Sequence, residues 1–231
     1  MEVSAFPARA TRWPVDAVLP KPGDVIGRKY RVSGLAARGG MAAILSAEHL
    51  VLGQRVAVKV MLAEAINDVR AVERFLREAQ ATSRLESEHV ARVMDARLLD
   101  SGLPYLVMEY LEGRDLGALL AMHGRLPCDQ VAGYALEALE GLAHAHAAGI
   151  VHRDLKPSNL FVARRPDASE VLKLLDFGVS KSLTDAQDEC AKTLTGNAIV
   201  GSPVYMSPEQ VRCARTVDER SDFLVARRDR L

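Results

Sequence analysis

Between Lys29 and Val60 the apolar residues come in short runs of strand length, and beyond Glu112-Gly113 they come at helical spacing. KYRVSGLAA, GMAAILSAEHL and QRVAVKVM are separated by Gly-Gly or by Leu52-Gly53-Gln54, which reads as an antiparallel meander. Residues 69–85 break that rhythm once. Val72, Phe75, Leu76, Ala79 and Thr82 mark one face of an amphipathic helix, with charges opposite. HVARVMDARLLD and LPYLVMEYL then read as two more strands around Ser101-Gly102. After Gly113, Asp115 is placed to cap a short helix through His123, and Asp129 to open a longer one ending near Gly149. His144 and His146 lie two apart in that helix and face different sides, so a joint metal site is not expected. The pieces IVHRDLKPSNLFV and EVLKLLDFG are strand-like runs around polar loops. The expected layout is a strand-rich lobe followed by a helix-rich one.

Composition narrows the function classes. The 231 residues, 48% apolar and 26% charged, suit one large domain or two small lobes. Lys plus Arg number 30 and Asp plus Glu number 30, so no bulk charge favours nucleic acid or an anionic membrane. No apolar run is long enough for a membrane span, and MEVSAFPARATRWP lacks the apolar stretch of a secretory signal. Cys128, Cys190 and Cys213 are isolated thiols without metal or disulfide spacing, which makes a reducing cytoplasm the expected location. Residues 1–23, with four prolines and lone Trp13, read as a flexible leader.

Four short motifs carry the chemistry. Val56-Ala57-Val58-Lys59 lies within a strand. His152-Arg153-Asp154-Leu155-Lys156-Pro157-Ser158-Asn159 is followed after 17 residues by Asp176-Phe177-Gly178, and 33 residues after Asp176 comes Glu209 in Ser207-Pro208-Glu209. Each motif is weak alone; together, in this order and spacing, they are specific. On these residues the chain resembles the protein kinase family, and more closely the eukaryotic-like serine/threonine kinases of bacteria. The resemblance runs from about residue 24 to Asp222.

It implies a two-lobed α+β kinase fold, with an N-lobe over 24–110 and a partial C-lobe over 111–222. It implies ATP and Mg²⁺ as cofactors and a protein carrying Ser or Thr as substrate, with a kinase dimer as a further partner and no nucleic acid. Lys59 would meet the α- and β-phosphates, and Glu78, rather than its neighbour Glu73, would pair with it. Asp154 would accept the substrate hydroxyl proton, and Lys156 would neutralise the moving γ-phosphate, the family's mark of serine/threonine specificity. Asn159 and Asp176 would hold Mg²⁺ through hard oxygen atoms. Ile44 and Ala57 would cover the adenine, Phe161 would lie beneath it, Met108 would be the gatekeeper, and the backbone of Glu109 and Leu111 would bond the adenine edge. For Ile44, Ala57 and Met108 ordinary strand core is the competing reading. Arg153 would bind a phosphate on the segment from Val179 to about Pro208, with Thr193 and Thr195, more than Thr184, as autophosphorylation sites. Ser202 would link Asp154 and Lys156, Glu209 would pair with an arginine of a later helix, and Asp222 would brace the loop around Asp154.

Two departures bear on these expectations. The glycine-rich loop of the family falls on Ala37-Arg38-Gly39-Gly40-Met41-Ala42, with alanine at its first and third glycine positions. The extra Cβ atoms predict weakened nucleotide binding, not its abolition. Family matching also stops after Asp222, and residues 223–231 carry charges where the family buries apolar side chains. A permissible coding sequence for Leu224 to Arg230 reads Trp-Ser-Leu-Gly-Val-Ile in a shifted frame, the expected family segment. The expectation is a C-terminally truncated kinase lacking its last helices, with an exposed apolar patch; a natural short protein is the alternative. A non-catalytic remnant that binds nucleotide or a partner is the competing functional class.

Overall fold

The structure is a computed structural model that describes residues 19–177, 205–212 and 217–223. The chain divides into two compact units. The first holds the described residues up to Leu76 together with Val93–Tyr110; the second holds Arg77–Arg92 and the described residues from Leu111 onward.

The first unit is a six-stranded antiparallel sheet. Its strands are β1 (Val25–Ile26), β2 (Tyr30–Arg38), β3 (Ala42–His49), β4 (Arg55–Met61), β5 (Val93–Leu98) and β6 (Pro104–Glu109), in the order β1-β2-β3-β4-β6-β5. Three of the expected strands fall on β2 to β4, and the two later ones on β5 and β6. The period-2 pattern accounts for the packing: Ala43, Leu45 and Ala47 of β3 and Val56, Val58 and Val60 of β4 are all buried. Tyr105 of β6 is also buried, and burial pushes its hydroxyl pKa up to about 12. Two short elements escape a reading by sequence pattern: β1, and the four-residue helix α1 (Ala63–Ile66). Neither is long enough to show a period.

Helix α2 (Val69–Thr82) starts in the first unit and ends in the second. Its buried stripe is Ala71, Val72, Phe75, Ala79 and Thr82, close to the predicted face, with Leu76 half-buried.

The second unit contains the sheet β7 (Gly113–Asp115), β8 (Leu160–Arg164) and β9 (Glu170–Leu174), and helices α3 (Leu116–His123) and α4 (Cys128–Ala147). Asp115 caps α3 as expected, its Oδ1 accepting from the Ala118 N–H at 2.9 Å. Helix α4 begins one residue before Asp129, with Pro127 ahead of it, and Gly149 follows at φ +72°. Strand β7 leaves no pattern in the sequence because it is three residues long. It requires glycine: Gly113 has φ +149°, and a Cβ there would sit 2.0 Å from the Val162 carbonyl oxygen. The core of this unit joins Leu116, Leu142, Leu155, Leu172, Leu174 and Phe177.

A single break at residue 110 does not describe the division, because residues 77–92 pack with the second unit. Leu174 N–H donates to the His89 carbonyl (2.8 Å), Ala91 N–H donates to the Leu174 carbonyl (3.0 Å), and His89 Nδ1 lies 3.1 Å from the Leu172 carbonyl. No described helix is long and apolar enough to cross a membrane.

Candidate active site

In the first unit, strand register gathers the expected nucleotide-side residues. Ile44 pairs with Lys59, Ala57 with Met108, Ser46 with Ala57, and Ala37 with Ile44. Directly paired residues of antiparallel strands share a face, so Ala37, Ile44, Ala57, Lys59 and Met108 all stand on one side of the sheet. The opposite side carries the buried valines. Lys59 is half-buried, with its Nζ 6.0 Å from the centre of the Phe75 ring. Glu109 ends β6. The predicted glycine loop is a tight hairpin: Ala37 and Arg38 end β2, Ala42 opens β3, and Gly39 N–H closes the turn on the Ala42 carbonyl at 2.9 Å. A Cβ on Gly39 would lie 3.5 Å from that same oxygen, while Gly40 faces open space.

In the second unit, the segment after α4 folds into a dense polar cluster. Lys156 Nζ donates to Asp154 Oδ2 at 2.9 Å. Asn159 Nδ2 donates to the Asp154 carbonyl (2.8 Å) and reaches Asp154 Oδ2 (3.2 Å). A 3₁₀ turn, Pro157–Asn159, brings Asn159 back toward Asp154. Leu175 N–H donates to the Asn159 carbonyl (2.9 Å), which tethers the backbone next to Asp176. Asp176 is exposed and has a left-handed φ of +46°. Asp154, Lys156, Asn159 and the Asp176 backbone are therefore brought into one neighbourhood. Phe161 is half-buried in β8, paired with Asp115, and Leu111 is half-buried ahead of β7. Glu78 is half-buried near the end of α2, whereas Glu73 is exposed.

The cluster is braced from below. Asp222, 1% exposed at its side chain, accepts from the His152 N–H through Oδ2 and from the Arg153 N–H through Oδ1, both at 2.9 Å. His146 Nε2 lies 2.8 Å from the same Oδ2. Sequence reasoning misses the His146 contact, yet its position is a signal: it lies four residues after buried Leu142, on the edge of the stripe, while His144 is exposed and bonds the Glu140 carbonyl. His152 is fully buried. Its Nε2 meets the Leu175 carbonyl at 3.0 Å, and its Nδ1 accepts the Asp154 N–H at 3.3 Å. That pattern suits the neutral ring, and burial lowers its pKa, opposed by the nearby Asp222, Asp154 and Asp176. The buried Phe177 ring packs on it at 4.6 Å.

Arg153, between the two, has a left-handed φ of +62°. Its Nε and Nη1 are buried and lack a hydrogen-bond partner among the described residues, and burial lowers its pKa against the pull of Asp222. Glu209 Oε1 accepts the Ser221 hydroxyl at 2.6 Å. Thr184, Thr193, Thr195 and Ser202 lie outside the described residues, as do Cys190 and Cys213; Cys128 is exposed. Among the described residues no group of His, Cys, Asp and Glu forms a ready metal cage.

The protein kinase domain family matches residues 30–224. The chain is 38% identical over 201 residues to the serine/threonine-protein kinase pkn3 of Myxococcus xanthus, covering 87% of this chain and 36% of that protein. It is 40% identical over 194 residues to Pkn1 of the same organism, covering 84% of this chain and 27% of that one. A probable serine/threonine-protein kinase PknB of Bifidobacterium longum is 37% identical over 217 residues, 89% of this chain and 30% of the relative. The chain thus spans about a third of the length of these curated relatives. The crystal structure of the Mycobacterium tuberculosis PknI kinase domain superposes with a TM-score of 0.69 at 24% identity, over 90% of this chain and 74% of that one.

Proposed function

The chain belongs to the protein kinase domain family, and from that premise we propose that it transfers the γ-phosphate of ATP to serine or threonine hydroxyls of a protein. The observation that carries the reading is the Asp154 carboxylate held between the Lys156 ammonium and the Asn159 amide. Such a carboxylate is oriented to take the proton of an incoming hydroxyl as its oxygen bonds to the γ-phosphorus and the bond to the leaving ADP breaks. Lys156, a mobile point charge beside it, is suited to neutralise the transferring group.

The donor set fits a hard divalent cation. Asn159 commits its amide nitrogen to Asp154, which leaves the amide oxygen for a metal, and Asp176 adds an exposed carboxylate. Asn159 and Asp176 would hold Mg²⁺ there, and the ion would supply positive charge against the phosphates. On the first unit, the shared face of Lys59, Ile44, Ala57 and Met108 supports a nucleotide with its phosphates toward Lys59 and its base toward the β4–β6 pair. In the same reading Glu109 bonds the base. Arg153 takes a phosphate on Thr193 or Thr195; its buried donors without partners among the described residues support this. The natural setting is the cytoplasm, where ATP is present and thiols stay reduced.

The test is phosphate transfer from labelled ATP by the purified chain with Mg²⁺ and a protein substrate, beside Lys59→Ala and Asp154→Ala. Loss of labelling in both variants, with unchanged circular dichroism, is expected. Labelling that survives both substitutions refutes the assignment, and nucleotide binding by calorimetry without any transfer moves the chain to the class of binding modules.

A further inference from the structure

Arg153 directly precedes Asp154 and holds a conformation that residues other than glycine rarely adopt, φ +62°. Side chains from two distant segments grip both of its peptide groups. Asp222 Oδ1, 69 residues away, accepts its N–H at 2.9 Å. Gln210, 57 residues away, donates Nε2 to its carbonyl at 2.7 Å. The Gln210 amide is itself aimed: its Oε1 accepts the Ser207 N–H at 2.8 Å, and its own backbone N–H reaches Ser207 Oγ at 3.3 Å. Next to Gln210, Glu209 bonds Ser221, and next to Ser221 stands Asp222. The contacts close into a ring through Arg153, Asp222, Ser221, Glu209 and Gln210.

The Arg153 carbonyl and the Asp154 N–H belong to one rigid peptide plane. A donor that fixes the carbonyl therefore fixes the direction in which the chain enters Asp154. We propose that Gln210 is a positioning residue for Asp154, holding the 153–154 peptide plane so that the carboxylate meets Lys156 and Asn159. The inference rests on the kinase reading for its catalytic consequence, but its structural content stands apart from it. Without the Gln210 donor, Arg153 is free to relax toward right-handed backbone and to swing the next side chain away.

Two variants and two readouts test this. Gln210→Met keeps the length and removes the donor. Hydrogen exchange at the amides of 152–156 should accelerate while exchange in α4 and β8 stays unchanged. The kcat should fall about tenfold, the worth of one such hydrogen bond, with KM for ATP unchanged. Gln210→Glu places a carboxylate against the carbonyl. Its activity relative to the parent chain should rise as pH falls, because protonation restores a donor; a merely structural role would not produce that profile. If the parent chain transfers no phosphate, the kinase reading fails and hydrogen exchange still decides the positioning role. Unchanged exchange at 152–156 in Gln210→Met overturns the proposal, as does acceleration spread evenly over the second unit.

Discussion

Replacing Asp222 with alanine removes the acceptor for two backbone N–H groups, that of buried His152 and that of half-buried Arg153, and for the His146 ring. Each contact to a charged acceptor contributes about 1.5–3 kcal/mol, and a buried donor left unpaired costs about 1–3 kcal/mol. The two amides alone set a loss of about 3–6 kcal/mol. Relief from burying a carboxylate offsets part of this and favours the lower end. For a chain of this size each kcal/mol lowers the melting midpoint by about 2–4 °C, so Asp222→Ala should melt roughly 6–24 °C lower. Far-UV circular dichroism and urea titration measure it. Asp222→Asn, which keeps one acceptor oxygen, should fall between the two. A midpoint for Asp222→Ala within about 2 °C of the parent chain, under one kcal/mol by the same scale, would refute the bracing role.

Three further outcomes are expected. Burial keeps His152 neutral in the folded chain where the unfolded chain takes up a proton, so stability is untouched above about pH 6.5 and falls below it. Chemical denaturation at about pH 7 and about pH 5 should therefore show a smaller pH-dependent loss in His152→Gln than in the parent chain, and an equal loss speaks against a neutral buried ring. A Cβ on Gly141 would lie 2.9 Å from both the His89 carbonyl oxygen and Leu174 Cδ1; Gly141→Ala should cost about 1–2 kcal/mol despite the gain in helix propensity, and a stabilised variant contradicts that contact. Restoring Ala37→Gly with Ala42→Gly should tighten ATP binding by calorimetry only a few-fold, because each added glycine costs about 0.4–1 kcal/mol in chain entropy; unchanged or weaker binding counts against the steric reading.

Much of the candidate site is legible in the amino-acid sequence. Asp154, Lys156 and Asn159 sit within six consecutive residues, and a short loop cannot carry them far apart. The one-sided placement of Ile44, Ala57, Lys59 and Met108 follows from strand period once pairing is known. What stays hidden acts across long sequence distance. Gln210 carries no local signal, because its partner lies 57 residues earlier. His146 reads as one of two helix histidines, and only the fold sets a carboxylate 76 residues on against it. The Ser221 contact of Glu209 joins two short segments with no periodicity of their own.

The sequence alone determined the order of the longer strands and helices, the Asp115 cap, the stripe on α2 and the polar motifs. These depend on interactions within one turn of helix or across one strand, where residue spacing dictates which side chains face together. Tertiary structure decided that residues 77–92 join the second unit, that Asp222 grips the two amides before Asp154, and that Arg153 is held left-handed from both sides. Those depend on which buried donors and acceptors meet when distant segments pack. A buried N–H must find an acceptor somewhere, and only the folded chain specifies which one.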